Sequence, residues 1–161
     1  MVCLGNICRS PLAEGILKSK LNTQQFYVTS AGTGPWHVGN APDPRSIEIA
    51  QRHNLDITDQ RGRQFSAYDF EEFDHIYVMD KSNFQDVVRL AHTDLEKAKV
   101  SLLLDVLFPN ENVDVPDPYY GGKDGFSAVY DLIDQACERI AEDLNQSIPE
   151  SLNKWNDTFY F

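Results

Sequence analysis

Residues 2–12 read Val-Cys-Leu-Gly-Asn-Ile-Cys-Arg-Ser-Pro-Leu, a run that passes from strand to helix within a few positions. Val2 to Leu4 has the character of a strand end. Ser10 then offers a helix cap, and Pro11 suits the first helical position, where no amide hydrogen is needed. Leu12, Ala13, Ile16, Leu17 and Leu21 follow at helical spacing. Cys3 to Arg9 is therefore a strand-to-helix loop. The backbone N–H groups of such a loop can curl around an anion, and the helix dipole adds favourable potential. Gly5 and Asn6 tolerate the positive φ angles such a curl needs. The planar fork of Arg9 can grip two oxygens of a phosphate.

The same field acts on Cys3. Helix N-termini and cations lower a thiol from its ordinary pKa of about 8.5 to roughly 3.5–7.5. Cys3 is then placed as a nucleophile for phosphorus, with the Ser10 hydroxyl able to hydrogen-bond its thiolate, the arrangement for a phosphocysteine intermediate. The plainer readings are a small buried hydrophobe or a pair of metal ligands, Cys3 with Cys8. The second lacks partners, because the only other cysteine is Cys137 and no histidine lies nearby,. No metal and no cofactor are expected.

Outward from this loop, strands and helices alternate. Residues 26–30 (Phe-Tyr-Val-Thr-Ser) form a strand candidate. Asp43-Pro44 repeats the cap-plus-proline signal and opens a helix to about Asn54. Residues 75–79 and 99–105 read as buried strands, with a helix from Lys81 between them. Phe126, Val129, Ile133, Ala136, Cys137, Ile140 and Leu144 mark one face of a long helix. The order predicts an α/β fold, a three-layer α/β/α sandwich around a parallel sheet. Ligands of such sheets bind beyond the carboxyl ends of the strands. The loops 4–10, 31–43 and 106–124 all fall there and define one site.

Composition sets the outer bounds. A length of 161 residues suits one domain, and 42% hydrophobic with 24% charged residues is ordinary for a globular chain,. The net charge of −11 argues against general binding of nucleic acid or anionic membranes. No apolar run approaches the roughly 20 residues of a membrane span, and the start lacks the order of a secretory signal. Three cysteines make no disulfide framework, so reduced thiols and a cytoplasmic location are expected.

The segment VCLGNICRSPLAE resembles the signature of the low-molecular-weight protein tyrosine phosphatase family. SAGTGPWHVGNAPDPR (30–45), RGRQF (61–65), FDHIYVMDKSN (73–83) and VPDPYYGG (115–122) resemble its later blocks in the same order. The resemblance implies a domain over residues 1–146 with a four-stranded parallel sheet of flavodoxin-like, phosphatase I type, followed by a C-terminal extension over 147–161. It implies hydrolysis of phosphotyrosine in protein substrates, with Cys3 as nucleophile, Arg9 binding phosphate and Asp117 as general acid and then general base. Leu4, Gly5, Asn6, Ile7, Cys8 and Ser10 would line the phosphate, and Trp36, Tyr119 and Tyr120 the ring. Ser30 would brace the loop together with Asn6. Cys8 either pairs reversibly with Cys3 in a protective disulfide or simply packs. A monomer or weak dimer is expected.

The chain departs from the family pattern in places. Only Met1 and Val2 precede Cys3, where relatives carry several more residues in the central strand. Asp59-Gln60 stands where many relatives have a histidine shortly before the RGRQF-type block. Three rivals remain to be weighed. Arsenate reductases share the loop but need shuttle cysteines, and none lies between Cys8 and Cys137. Protein-arginine phosphatases tend to carry a small polar threonine at the position of Ile7. A non-catalytic phosphoprotein-binding or thiol redox module would have no use for Asp117 beside Cys3 and Arg9.

Overall fold

The computed structural model describes residues 1–148. Four short parallel strands, β1 (Val2–Cys3), β2 (Ala31–Gly32), β3 (Ile76–Val78) and β4 (Val100–Leu102), form one sheet in the order β2-β1-β3-β4. Val2 pairs with Ala31 on one side and Val78 on the other, and Ile76, Tyr77 and Val78 pair with Val100, Ser101 and Leu102. The connections run outward from β1 in opposite directions. That makes its carboxyl end the topological switch point, where open α/β sheets bind ligands.

Helices cover both faces. α1 (Arg9–Lys20), α2 (Pro44–Arg52) and α6 (Lys123–Gln146) enclose a core that includes Leu12, Ile16, Ile49, Phe126, Ile133 and Ile140. On the other face, Phe70 of α3 (Asp69–Glu72) and Val87 of α4 (Lys81–Val88) meet Val2, Ile76, Val78 and Leu102. A fifth short helix, α5 (Asp94–Ala98), carries a capping box between Thr93 and Glu96,. Successive strand residues point to opposite faces, which is why Val2 joins one core and Cys3 the other. Fully burying a large apolar side chain contributes about 1.5–3 kcal/mol. The two clusters therefore hold the sheet from both sides, as the three-layer α/β/α reading requires.

Three local expectations are corrected. Ser10 does not cap α1: the helix begins at Arg9 with Cys8 as the preceding residue and no side-chain cap, so Ser10 and Pro11 lie inside the first turn. Pro11 is still accommodated, because the first turn's amides have no intrahelical partner. Residues 26–30 form no ladder; pairing with β1 starts at Ala31. The third strand-like run, 99–105, is a strand only to Leu102 and then tightens into a 3₁₀ turn, Leu103–Val106. By contrast Asp43 does cap α2, its side chain accepting from the Arg45 N–H, with Pro44 in the first turn. Of the C-terminal extension expected over 147–161, residues 149–161 lie outside the described residues.

Candidate active site

Cys3 ends β1 and α1 begins six residues later, so the loop between them crosses the carboxyl edge of the sheet at the switch point. Cys3 is 3% exposed. The Asn6 N–H donates to its Sγ at 3.3 Å, and the Ser10 hydroxyl lies 3.0 Å from the same sulfur. Asn6 Nδ2 donates to Ser10 Oγ at 2.8 Å. That takes one lone pair, and the single Ser10 proton then has two acceptors in reach, the sulfur at 3.0 Å and the Ala31 carbonyl at 3.4 Å, of which a thiolate is the stronger,.

Asn6 is the keystone of the curl. It alone in the loop has positive φ, 56°, a conformation that Asn tolerates better than most residues,. Its amide is used on every side: Nδ2 also donates to Ser30 Oγ at 2.9 Å, and Oδ1 accepts the Arg63 N–H at 3.0 Å. Ser30 in turn donates to Glu14 Oε1 at 3.0 Å, and Glu14, buried, pairs with Lys18 at 2.9 Å. The structure gives Gly5 a different reason from the one expected. Its φ is not positive, but a Cβ there would stand 3.1 Å from His37 Cδ2.

Arg9 is 2% exposed, yet its guanidinium is well paired. Nη1 donates to Asp80 Oδ2 at 2.7 Å and to the Val115 carbonyl at 3.0 Å, while Nη2 stands 3.5 Å from Asp117 Oδ2. Asp80 follows β3 and caps α4 through its other oxygen. Asp117 lies on the 106–124 loop, and its Oδ1 accepts the Tyr119 N–H at 3.0 Å. The three loops meet physically as well: the Thr33 and Gly34 N–H groups donate to Cys3 and Leu4, and the Asp43 N–H to Ile7.

Around this buried floor the remaining candidates are open to solvent. Trp36 is 67% exposed, Tyr119 41% and Tyr120 92%. Tyr119 and Tyr120 meet edge to face at 5.0 Å. Trp36 packs against Gly34, where any Cβ would fall 1.9 Å from its ring. Leu4 is half exposed at the loop's tip, and Ile7 packs its side chain against the larger core. Cys8 is buried, and burial, then the nearby Asp43, pushes its thiol up to about 12. Cys3, Cys8 and Cys137 are all free thiols.

The residues not read from the sequence as part of the site are Asp80, Glu14, Asp43, Arg45 and the backbone of Arg63. Asp80 and Asp43 carried local signals, each a cap residue at the sheet's carboxyl edge, Asp80 directly after a strand and Asp43 before a proline; Glu14, Arg45 and the Arg63 backbone did not. A cavity of about 470 Å³ opens elsewhere, lined by Leu17, Phe26, Val28, Phe73, Ile76 and Leu144. None of the polar groups just described except Arg63 lines it. Among the described residues no group of three or more His, Cys, Asp or Glu is arranged to hold a metal, and no helix is long and apolar enough to cross a membrane.

Chemically, the loop and its neighbours present a buried sulfur with a hydroxyl beside it, and a buried guanidinium paired with the Asp80 and Asp117 carboxylates. Comparison with known proteins places these features in context. The family model for low molecular weight phosphotyrosine protein phosphatase matches residues 1–150. A Schizosaccharomyces pombe protein of that name is 42% identical over 134 residues, covering 80% of this chain and 85% of its own length. A solved protein tyrosine phosphatase from Entamoeba histolytica superposes with a TM-score of 0.83 at 34% identity, covering 90% of this chain and 94% of that one. A solved Drosophila arginine phosphatase gives 0.81 at 37% identity, with 91% and 97% covered.

Proposed function

Because the chain belongs to the low molecular weight phosphotyrosine protein phosphatase family, we propose that it hydrolyses protein phosphotyrosine and small aryl phosphates through a phosphocysteine intermediate on Cys3. The observation that carries the proposal is the buried sulfur itself, with the Asn6 N–H at 3.3 Å and Ser10 Oγ at 3.0 Å; Arg9, six residues on in the same segment, is buried, held by Asp80 and reaches toward Asp117.

In the first step the Cys3 thiolate attacks phosphorus in line, forming the S–P bond as the P–O bond to the phenol breaks. Arg9 and the loop amides hold the equatorial oxygens, where charge is spread in the transition state. Asp117, as the carboxylic acid, gives its proton to the departing phenolate oxygen. In the second step Asp117, now a carboxylate, takes a proton from water as that water attacks phosphorus. The S–P bond breaks, Cys3 leaves as thiolate, and phosphate is released. The Ser10 proton on the sulfur favours it both as nucleophile and as leaving group.

The exposed rings of Trp36, Tyr119 and Tyr120 provide flat surfaces for a phosphotyrosine ring. Ile7 supports the same substrate. A second reading, hydrolysis of protein phosphoarginine, is supported by the likeness to the Drosophila arginine phosphatase. Its leaving group is a guanidine nitrogen, so the two activities separate in paired assays on phosphotyrosine and phosphoarginine peptides. A preference for phosphoarginine would replace the proposed substrate while keeping the chemistry.

The mechanism is tested with two variants. Cys3→Ser abolishes hydrolysis of p-nitrophenyl phosphate while inorganic phosphate still binds; retained turnover removes Cys3 as the nucleophile. Asp117→Asn slows substrates with poor leaving groups most, such as phenyl phosphate. An equal loss on p-nitrophenyl phosphate and phenyl phosphate removes Asp117 as the acid.

A further inference from the structure

One side chain joins the anion loop to the acid-bearing loop, and the mechanism above gives it no task. Arg45 is the second residue of α2. Its Nε and Nη2 fork onto the two oxygens of Asp43, each at 3.0 Å, and its Nη1 reaches across to donate to the Tyr119 carbonyl at 3.0 Å. The guanidinium carbon lies 5.4 Å from the centre of the Tyr119 ring and 4.7 Å from that of Phe126. Both ends of this contact continue. The Asp43 N–H donates to the Ile7 carbonyl at 2.8 Å, and the Tyr119 N–H donates to Asp117 Oδ1 at 3.0 Å. Residue 119 thus holds the acid with its N–H while its own carbonyl is held by Arg45.

We propose that Arg45 is a positioning residue for the acid step, fixing the Asp117 carboxyl relative to Cys3 through the path Ile7–Asp43–Arg45–Tyr119–Asp117. This rests on the assignment of Asp117 as the proton donor. The direct contact between Asp117 and Arg9, 3.5 Å long, cannot do the same work. It depends on a charged carboxylate, and the proton-donating form of Asp117 carries no charge. The Arg45 link ends on the Tyr119 carbonyl, and the last bond of the path, Tyr119 N–H to Oδ1, survives when the proton sits on Oδ2, the oxygen that faces Arg9.

The rest of the loop leaves the task open. Val115 is anchored by its N–H to the Met79 carbonyl and by its own carbonyl to Arg9, and the chain re-enters regular structure at α6. Asp117 lies between these fixed points with its side chain 38% exposed. A misplacement of about 1 Å at a reacting group costs up to roughly a hundredfold in rate. A two-pronged grip on Asp43 and a third bond in another direction, all from one planar group, also explain why the residue is arginine, since lysine has no such fork,.

The test is Arg45→Met, with Arg45→Lys beside it. The kcat/KM of phenyl phosphate, which reports the first step alone and whose leaving group needs the proton, falls roughly tenfold or more, whereas that of p-nitrophenyl phosphate falls by less than about threefold. The inhibition constant of inorganic phosphate stays unchanged, because the anion loop is untouched. Arg45→Lys, which keeps the charge and loses the fork, shows the same pattern in weaker form. Equal losses on the two substrates, weakened phosphate inhibition in step with turnover, or no change in either variant would each overturn the proposal.

Amide hydrogen exchange gives a readout independent of activity. Exchange across 116–122 quickens by roughly tenfold in either variant while residues 3–10 are unaltered; unaltered exchange at 116–122 overturns the tie. Should Arg45→Met fail to fold, Arg45→Lys is read by the same criteria. A wild-type protein inactive on both aryl phosphates would instead remove the proposed function, and the exchange result would still judge the tie.

Discussion

The floor of the site and its rim are built on opposite principles. On the floor, Asn6, Arg9, Ser10 and Ser30 are all buried, and each makes hydrogen bonds in more than one direction. On the rim, Trp36 and Tyr120 are mostly exposed and held by ring contacts. A buried polar group costs free energy unless paired, so the floor is stable only in its completed arrangement. The rim has no such constraint. On the proposed function, chemistry depends on a network that fails as a unit, while substrate selection depends on side chains that can be exchanged singly.

The sharpest way to break that contrast is at Asp80. Asp80→Asn keeps the α4 cap and the shape, and removes the charge opposite Arg9. The Arg9 cation then keeps only the longer contact to Asp117, a loss that costs up to about 3–5 kcal/mol for a buried pair, and Arg9 answers by reorienting. The expected result is a fall in kcat/KM of roughly a hundredfold, with inorganic phosphate binding weakened as well. A variant with unchanged kcat/KM and phosphate affinity would show that Val115 and Asp117 suffice to fix the guanidinium, and that the floor is less interdependent than its hydrogen bonds imply.

A smaller effect separates the two regions by pH. The Cys8 thiol, on the dry side of the loop, is raised from an ordinary 9.0 to about 12, by burial first and by Asp43 second. An acid whose folded pKa lies above its unfolded value stabilises nothing below that unfolded value and opposes folding above it, because only the unfolded chain then releases the proton. Folding stability therefore declines as pH rises past about 9. At one unit above that point the loss is roughly 1.4 kcal/mol for this thiol. Cys137, in the helical core, is raised to about 12 by burial and adds a loss of the same kind. Denaturant unfolding at pH 7 and pH 10 measures it. Cys8→Ala removes the Cys8 share, and an identical pH dependence in that variant would contradict the burial argument.

How far the sequence alone reached follows the same division. The floor was legible because its pieces are local: Cys3, Asn6, Arg9 and Ser10 sit within eight residues, and strand, turn and helix leave few other arrangements. The alternation of elements was enough for the layered α/β fold and for the convergence of three loops. Contacts that depend on the third dimension were not legible. Asp80 meets Arg9 across 71 positions, and Arg45 reaches Tyr119 across 74. Ser10 was misread as a cap because a serine before a proline carries that signal, whereas its hydroxyl is engaged with the sulfur and Asn6. Residues 26–30 have strand composition, yet a strand exists only where a partner lies beside it, and β1 pairs from Ala31 onward.

The smallest expected effect lies on the rim, and it is the one that tests the contrast from the other side. Tyr120 is 92% exposed, and its ring contact is with Tyr119 alone among the described residues. Nothing buried depends on it, so Tyr120→Ala should leave the floor and kcat intact. The side chain can act only by stacking on a bound ring, a contact of about 0.5–1.5 kcal/mol. That corresponds to a rise of roughly threefold to tenfold in KM for a phosphotyrosine peptide, with no change in phosphate inhibition. Trp36, packed onto Gly34 and likewise mostly exposed, is the matching case on the 31–43 loop, and Trp36→Ala should behave alike. If either substitution lowered kcat as strongly as Asp80→Asn, the rim would be coupled to the catalytic floor, and separating chemistry from substrate choice would no longer describe this protein.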